Sequence, residues 1–273
     1  VTGTLLSGRI NTGDKLELLP RKTAVTVRGL QVYGETVETA IAGQRTAVNL
    51  QGLDTSAAER GDLLVTPNAL SATYMIDARL HMLSDHSLEQ LQRVRFHHGA
   101  TEILCRVAIL EAEDIRAGES KLVQLRLETP YACAPGDRFV VRRYSPMLTI
   151  GGGTVLDNLP RKHRPGESKT IELLRRLEGA TLKDRVALLT AASGISGADE
   201  VYLQHRTFSS TTHLRSVANS LADAGRLAIA QETTLVVLDS KVVNTLERTI
   251  VEAVRRQHTE HPLMPGLSKS AVA

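Results

Sequence analysis

Apolar and polar residues alternate with a period of two along most of residues 1–158, and this period is typical of β-strands. In the stretch VQLRLE, Val123, Leu125 and Leu127 are predicted to face a core, while the alternate residues face the other way. Many short segments of this kind, separated by turn residues, favour β-barrels or sandwiches. The predicted strands cover residues 2–6, 24–33, 46–50, 72–83, 103–110 and 122–128.

Turn signals divide this β-rich part of the chain. Gly-Asp precedes an apolar run in TGDKLEL, RGDLLV and PGDRFVV, where glycine permits the turn and aspartate can accept hydrogen bonds from nearby backbone N–H groups. A break at TPNALS, residues 66–71, separates two β units. We expect residues 1–69 and 70–159 to form them, each of a size that closes into a small barrel.

The pattern becomes helical after PRKHRPGESK, where prolines bracket a basic cluster that we expect to be a linker over residues 160–166. Beyond the linker, Ile171, Leu174 and Leu177 form one helical face, and Ser168 is a candidate N-cap. A second helix is predicted to end at the Ser-Gly pair of residues 193–194.

A third helix is predicted over residues 210–224 and is stopped by Gly225. Two short strands, RLAIA and TLVVLD, follow it. Helices followed by a β-hairpin make a winged-helix unit, which is predicted over residues 167–239. Another helix starts at Ser240 and begins a second, incomplete unit over residues 240–273.

Composition narrows the classes of partner. The 273 residues carry a formal net charge of +3, which permits nucleic-acid binding without demanding it. Aromatic residues make up 3% with no tryptophan, which argues against stacking platforms for single-stranded bases. The two cysteines, Cys105 and Cys133, have neither disulfide-scaffold nor metal spacing, so a reducing cytoplasm is expected. No apolar run reaches about 18 residues, so no membrane is expected as a partner. The chain begins at Val1 without a signal peptide, and we expect a fragment of a longer protein.

Three consecutive glycines, Gly151 to Gly153, raise the question of a phosphate cradle. Such a cradle opens a helix and usually carries a lysine, whereas these glycines lead into TVLD, a strand-like run. We therefore expect them to make a tight turn or to let another backbone come close. No P-loop or G-x-S-x-G pattern occurs, so we expect no catalytic residue and no cofactor in this chain.

Metal binding has little support in the histidine pattern. His97 and His98 are adjacent, so on a strand they would point to opposite faces. His258 and His261 could meet on a helix, but no third ligand is close to them in the sequence. We expect no metal site.

Basic residues cluster in the second β unit and in the linker. A patch that contacts phosphates without reading sequence would have this composition, and so would an ordinary solvated barrel face. The predicted third helix carries His213 and Arg215 but few other cations. Groove binding and a spacer role therefore both stay open for the winged-helix unit.

Several longer motifs are specific to one family. VTGTLLSGRINTGDKLELLP, AGQRTAVNLQGL, FHHGATEILCRVAIL and SPMLTIGGGTVLD resemble the second and third domains of the bacterial selenocysteine-specific translation elongation factors, the SelB family. The similarity covers essentially the whole chain. It implies a mainly β plus α fold, with two elongation-factor-type β-barrels followed by winged-helix domains.

The resemblance also implies a function. Members of the family deliver selenocysteyl-tRNA to the ribosome at a recoded UGA codon, using GTP and Mg²⁺ in an N-terminal GTPase domain. Their last winged helices bind a selenocysteine-insertion hairpin in the messenger RNA. Both of these parts are missing from the matched region, so we expect this fragment neither to hydrolyse GTP nor to bind the hairpin tightly.

Site residues follow from the same resemblance. Arg45 in AGQR matches an arginine near the aminoacyl group, where a permanent cation would favour an ionised selenol. The alternative is that Arg45 only pairs with a carboxylate such as Glu38. The candidates for contacts with the tRNA backbone are Arg95, His97, His98, Arg106, Arg142, Arg143, Arg161, Lys162 and Arg164.

Two other classes of function are kept as hypotheses. One is a DNA-binding regulator that has a winged helix and an N-terminal β sensor module. The other is an enzyme that uses the triple-glycine segment to bind a phosphorylated substrate.

Overall fold

The computed structural model describes residues 1–53, 57–231 and 233–261. The chain divides into two compact units. The first unit comprises Val1–Glu178 with Gln204–Ser209, and the second comprises Gly179–Leu203 with the described part of Ser210–Ala273.

Short antiparallel strands enclose the first hydrophobic core. They are β1 (Thr2–Thr4), β2 (Arg9–Asn11), β3 (Lys15–Leu19), β4 (Thr23–Val32), β5 (Glu35–Val37), β6 (Thr39–Ile41), β7 (Arg45–Gln51) and β8 (Leu63–Val65). A six-stranded sheet runs in the order β1-β7-β4-β3-β8, with β5 on β4, and β2 pairs with β6 in a separate ribbon. Ile10 and Ala40 of the ribbon share one core with Val27, Leu30 and Val48 of the sheet, so sheet and ribbon together wrap around it.

The second β unit is a closed barrel. Its strands are β9 (Thr73–Met82), β10 (Leu88–Glu89), β11 (Arg93–His98), β12 (Thr101–Ile109), β13 (Asp114–Ile115), β14 (Ser120–Tyr131), β15 (Arg138–Arg143) and β16 (Thr149–Asp157). The barrel order is β11-β12-β14-β9-β16-β15, and β10 pairs with β13 outside it. Phe96, Ile76 and Leu125 are among its fully buried core residues.

The two β units are in direct contact. Leu19 of the first β unit is buried in one cluster with Leu70, Ala132 and Ala134, which lie in the second β unit. The Thr101 hydroxyl donates a hydrogen bond of 3.0 Å to the Gly61 carbonyl. The barrels therefore share a small apolar interface with a polar contact at its side.

The triple glycine lies inside β16, so the predicted tight turn is wrong and the predicted close approach of another backbone is confirmed. None of the three glycines has a positive φ. A Cβ atom would stand 2.5 Å from the His81 carbonyl oxygen at Gly151, 2.8 Å from that of Phe139 at Gly152 and 2.0 Å from that of Arg79 at Gly153. Residues without a Cβ are needed here because carbonyl oxygens of the neighbouring strands β9 and β15 come this close to the β16 backbone.

The chain leaves the barrel along its outer surface. Residues 158–167, which we call the strap, lead into α1 (Ser168–Leu177), and α1 contacts β16. The Gly166 N–H donates to the Leu110 carbonyl at 2.8 Å. Arg79 of β9 pairs with Glu178 at 2.8 Å, just beyond the end of α1. The strap and α1 thus belong to the barrel unit rather than standing apart from it.

The second compact unit combines helices with a small sheet. It contains α2 (Leu182–Ser193), β17 (Ala198–Asp199), the first half of α3 (Glu200–Thr207), α4 (Thr211–Asp223), β18 (Leu227–Gln231), β19 (Val236–Asp239) and α5 (Ser240–Glu260). The sheet order is β17-β19-β18. Val186, Leu214 and Val237 join helices and sheet in one core. Helices followed by the β18–β19 hairpin form the winged-helix arrangement that the sequence predicts. The predicted domain boundaries stay predictions.

Two local expectations need correction. The N-cap of α1 is Glu167 rather than Ser168, and no side chain caps this helix end. The helix α3 was not predicted from the sequence, because EVYLQHRT has no clear helical stripe. By contrast, α2 ends at Ser193 with Gly194 as its C-cap, as predicted.

Candidate functional site

Arg45 opens β7 and lies opposite Thr4 of β1. The backbone before it is held in place, because the Gln44 side-chain oxygen accepts a 2.9 Å hydrogen bond from the Ile41 N–H. The Arg45 side chain is exposed and makes no ion pair with any residue that the structure describes, Glu38 included. A fixed backbone therefore presents to solvent a guanidinium group that has no ion-pair partner within the described part of the chain.

A cavity of about 480 Å³ lies further along the same strand. Thr46 and Val48 of β7 point into the core with 3% and 8% exposure, so Arg45, Ala47 and Asn49 share the outer face. The cavity lining includes Thr2, Gln31, Ala47 and Asn49. Thr2 and Gln31 lie opposite Ala47 on the neighbouring strands β1 and β4. Arg45 and the cavity thus occupy one face of the β1-β7-β4 sheet.

Several of the predicted backbone contacts lie on the outer face of the second barrel, around Tyr144. Arg95 of β11 lies opposite Arg142 of β15. The Arg93 and Arg95 guanidinium groups stand 4.9 and 5.3 Å from the centre of the Tyr144 ring, which is cation–π distance. Arg95 pairs with Glu102. The ring fixes these arginines, and the carboxylate offsets part of their charge.

The two histidines of β11 occupy different environments, as expected for neighbours on a strand. His98 is buried, with its Nδ1 2.8 Å from the Tyr131 hydroxyl and its Nε2 3.3 Å from an Asp137 oxygen. It supports the barrel core, and this placement does not favour a phosphate contact. His97 is half-buried, and burial lowers its pKa although Glu102 acts in the opposite direction.

Arg93, Arg106 and Arg126 form a row across three neighbouring strands. Arg106 of β12 lies directly opposite Arg93 on one side and opposite Arg126 of β14 on the other. Arg93 pairs with Glu128 at 2.6 Å, whereas Arg106 donates to the Leu91 carbonyl at 3.2 Å. Arg126 was not among the residues predicted to contact phosphates, because a like-charged row becomes visible only once the strand register is known.

The strap carries three of the four remaining predicted contacts. Arg161, Lys162 and Arg164 are exposed, and Arg161 pairs with Glu167. Arg143 lies in β15, opposite Val94. Between the exposed cations, His163 is buried with 8% exposure.

His163 anchors the strap through a buried polar network. Its Nε2 lies 2.7 Å from an Asp77 carboxylate oxygen, and its Nδ1 lies 3.3 Å from the Thr170 hydroxyl. The Gln124 amide nitrogen donates to Asp77 at 2.9 Å and to the Arg161 carbonyl at 2.8 Å. The Gln124 side-chain oxygen accepts a hydrogen bond of 3.3 Å from the backbone N–H of His163. Burial raises the pKa of Asp77 to about 6, although its hydrogen bond with His163 acts in the opposite direction.

The sequence predicts neither a catalytic residue nor a metal site among the described residues. They contain no group of three or more potential metal ligands. His258 lies at the end of α5 and His261 is the C-cap residue of that helix. Both cysteines are buried, and burial raises the pKa of the Cys105 thiol to about 12, so it is a poor nucleophile at neutral pH. No helix in the described residues is long and apolar enough to cross a membrane.

The cation on α4 is largely neutralised. Arg215 donates to both carboxylate oxygens of Glu200, at 2.7 and 2.8 Å. An arginine held in this way is not available for a base edge unless the pair breaks. The geometry therefore does not favour the hypothesis of a DNA-binding regulator.

Two families match the β-rich part of the chain. The family described as elongation factor Tu domain 2 matches residues 1–65. The family described as selenocysteine-specific elongation factor, beta-barrel domain, matches residues 76–162, which include nearly all of the second barrel and the first part of the strap.

Individual relatives extend the similarity over nearly the whole chain. The selenocysteine-specific elongation factor of Desulfomicrobium baculatum is 32% identical over 99% of this chain and 43% of that protein. Its counterpart in Haemophilus influenzae is 25% identical over 99% of this chain and 42% of that protein. The crystal structure of a bacterial selenocysteine-specific elongation factor is similar in fold, with a TM-score of 0.71 at 20% identity, over 99% of this chain and 41% of that one. The chain thus spans less than half the length of the curated relatives.

Two adjoining β-barrels, the first of them matching a domain of elongation factor Tu, define the chain as part of a translation elongation factor. The barrel-specific match and the relatives then narrow the class. Along 99% of its length the chain is similar to a selenocysteine-specific elongation factor, and residues 76–162 match the β-barrel domain of that family. This confirms the fold class and the family resemblance drawn from the sequence motifs.

Proposed function

We propose that the barrels of this chain bind selenocysteyl-tRNA, which the full-length factor delivers to the ribosome at UGA codons. One observation carries the proposal: Arg45, which is exposed and has no ion-pair partner among residues 1–53, 57–231 and 233–261, lies on the same strand face as a cavity of about 480 Å³. The names of the relatives support selenocysteine as the amino acid that is recognised.

Charge provides the basis for discrimination at Arg45. A selenol is largely ionised at neutral pH, whereas the hydroxyl of serine is neutral. A guanidinium group is always cationic and forms stronger hydrogen bonds with an anion than with a neutral acceptor. Arg45 has no carboxylate partner to displace among the described residues, so its full charge would be available to a selenolate.

The cavity has room for the end of the tRNA. Binding sites for small groups span about 300–1,000 Å³, so about 480 Å³ is enough for a terminal nucleoside. Ala47 borders the cavity two residues after Arg45, a distance of about 7 Å along a strand. The terminal nucleoside would then lie in the cavity, with the amino acid that it carries beside Arg45.

The outer face of the second barrel suits the tRNA stem. Arg95, Arg106 and Arg142 lie on adjoining strands and are supported by Tyr144, the Leu91 carbonyl and Thr149 respectively. Phosphate contacts of this kind position an RNA without reading its sequence. We propose His97 and Arg143 as contacts at the margin of this face, whereas the burial of His98 argues for a structural role.

The remaining activities belong to the full-length protein. We propose that a domain outside this chain binds GTP and Mg²⁺, and that the helical unit links the barrels to winged helices that bind the messenger RNA hairpin. The ribosome is the further partner, and the cytoplasm is the compartment of such a factor.

Arg45→Ala in the full-length factor tests the proposal. We expect the ratio of affinities for selenocysteyl-tRNA over seryl-tRNA to fall by roughly tenfold or more, since a hydrogen bond to a charged group contributes about 1.5–3 kcal/mol. Equilibrium binding of the two aminoacylated tRNAs at one salt concentration measures this ratio.

Arg28→Ala is the matched control. Arg28 is another exposed arginine of the same sheet, near the opposite end of β7 from Arg45. Removal of its charge should leave the ratio unchanged. An unchanged ratio in the Arg45→Ala variant would contradict the proposed role of Arg45.

A further inference from the structure

We propose that Gln44 is a specificity-determining residue, because it closes the turn before Arg45 with a neutral acceptor where a carboxylate would offset the arginine charge. The inference rests on the proposed function, since it takes Arg45 as the contact to selenocysteine. It goes further by assigning a role in discrimination to the side chain that precedes Arg45.

Gln44 closes a tight turn through both its side chain and its backbone. Its side-chain oxygen accepts a hydrogen bond of 2.9 Å from the Ile41 N–H, and its own N–H donates to the Ile41 carbonyl at 3.3 Å. Gly43 has a positive φ of 89°, which favours glycine. The Gln44 carbonyl accepts a hydrogen bond of 3.0 Å from the Leu5 N–H, so the turn is fastened to the neighbouring loop. Arg45 therefore starts from a fixed backbone.

The same pattern of hydrogen bonds recurs in other turns of the two β units. In each turn, a side-chain oxygen accepts from the backbone N–H three positions earlier, and the backbone N–H of the accepting residue donates back to the carbonyl there. The residue just before the acceptor has a positive φ. Besides Gln44, the acceptors are Asp14, Asp62, Gln92, Glu119 and Asp137. Carboxylates and neutral amides therefore close turns of one geometry.

Closing the turn does not require a neutral acceptor at residue 44. A carboxylate accepts hydrogen bonds more strongly than an amide oxygen does. The hydrogen bond between Ile41 and Gln44 is exposed, so a carboxylate there would keep its hydration. In some of these turns a cation directly follows the carboxylate: Lys15 after Asp14, and Arg138 after Asp137. Neither the turn nor a following cation therefore explains why residue 44 is neutral.

The function proposed for Arg45 does explain it. Opposite unit charges on neighbouring residues, about 7 Å apart in water, attract each other enough to change a binding ratio by about threefold. A carboxylate at residue 44 would attract the Arg45 guanidinium and would repel a selenolate bound to it. It would have no such effect on the neutral hydroxyl of serine. The amide of Gln44 closes the turn and leaves the charge of Arg45 undiminished.

Gln92 provides a comparison in the second barrel. It closes its turn in the same way and also precedes an arginine, Arg93. Arg93, however, pairs with Glu128 at 2.6 Å, whereas Arg45 has no ion pair within the ranges that the structure describes. At residue 44 a neutral acceptor thus stands before a cation whose charge is not offset by such a pair.

Gln44→Glu in the full-length factor tests the inference. The turn should stay closed, because carboxylates close turns of the same geometry elsewhere in the barrels. The ratio of affinities for selenocysteyl-tRNA over seryl-tRNA should fall by about threefold or more near 0.15 M salt. The fall should be smaller at about 0.5 M salt, since salt screens exposed charges. Equilibrium binding of both aminoacylated tRNAs at each salt concentration measures the ratio.

Two further variants separate the effect of charge from the effect of structure. Gln44→Met has a similar length but is uncharged and a weak acceptor, so its ratio should change less than that of Gln44→Glu. Gln51→Glu makes the same chemical change at the other end of β7, about 20 Å from Arg45 along the strand. This distance exceeds the screening length of about 8 Å, so the ratio should match that of the parent protein. A loss of folded protein cancels in the ratio, because one sample binds both tRNAs.

The outcomes separate this inference from the proposed function. A lower ratio in Arg45→Ala together with an unchanged ratio in Gln44→Glu would overturn the inference alone. Equal falls in Gln44→Glu and Gln44→Met would also overturn it, because the loss would then come from the turn and not from the charge. An unchanged ratio in Arg45→Ala would overturn the proposed function and this inference with it.

Discussion

The three glycines of β16 explain how the second barrel closes so tightly. Carbonyl oxygens of Arg79, His81 and Phe139 lie only 2.0, 2.5 and 2.8 Å from the positions that Cβ atoms would take. The phosphate-cradle hypothesis fails at the same place, because the glycines continue a strand instead of opening a helix. Their function is packing.

Gly153→Ala should therefore destabilise the barrel strongly. The added Cβ would lie 2.0 Å from the Arg79 carbonyl oxygen and 2.7 Å from the Phe139 ring, and overpacking a well-packed core costs about 1–3 kcal/mol or more. We expect a loss of at least about 3 kcal/mol in the free energy of unfolding, measured by urea denaturation. Gly3→Ala is the control, since nothing lies within 4 Å of a Cβ there; a similar loss in both variants would contradict the steric explanation.

At the level of single residues, the sequence showed which side chains are charged or polar, but it did not show whether each of them is buried or paired in the fold. The motif around Arg45 indicated a functional arginine, but only the structure separates a free guanidinium from one paired with Glu38. His98 has the same sequence context as His97, and its burial depends on Tyr131, which lies 33 positions away. Such long-range pairing cannot be read from local spacing.

At the level of elements, alternation predicted the long strands because one face of each packs on a core. It did not reveal the burial of Gln124, which alternation assigned to the outer face. Gln124 does point outward, yet it is fully buried because the strap covers it from outside. The pattern of a single strand contains no information about a segment that folds back from 37 residues further along.

Two serines at helix starts allow a direct comparison of a capping residue with a residue that does not cap. Ser210 caps α4 by accepting a hydrogen bond from the His213 N–H, whereas Ser168 is the first residue of α1 and does not cap it. Ser210→Ala should lower the free energy of unfolding of the helical unit by about 1 kcal/mol. Ser168→Ala should change stability by less than about 0.5 kcal/mol. Urea denaturation followed by circular dichroism compares them, and equal losses would contradict the assigned caps.

At the level of the whole molecule, the strap gives the barrel unit a dependence on pH. Asp77 has a pKa raised from 3.8 to about 6 by burial, against the opposing effect of His163, and the Asp157 carboxylate raises it as well. The folded state therefore binds a proton on Asp77 more tightly than the unfolded chain does. Its contribution to stability is largest at acid pH and falls as pH rises from about 4 through about 6.

Asp77→Asn should flatten this dependence. A shift of about two pKa units corresponds to about 3 kcal/mol, so between pH 4 and pH 7 the variant should lose about that much less stability than the parent chain. Urea denaturation across this range measures the difference. Parallel curves for the two proteins would contradict the assignment to Asp77.

Some parts of the fold could be predicted from the sequence and others could not, for physical reasons that differ along the chain. The barrels follow from alternation and turn residues, and the family follows from motifs such as SPMLTIGGGTVLD. The placement of the strap was not predictable, because PRKHRPGESK has the composition of a solvated linker. Only the fit of His163 to Asp77 and Gln124 shows that this segment is docked.

The triple glycine also limits which mutations the gene can accept at these three codons. Every amino acid that one base change can substitute for glycine carries a Cβ atom, and at these three positions that atom meets a carbonyl oxygen within 2.8 Å or less. Neutral substitution in this segment would require β9 or β15 to shift at the same time. We therefore expect codons 151–153 to accept synonymous changes and very few others.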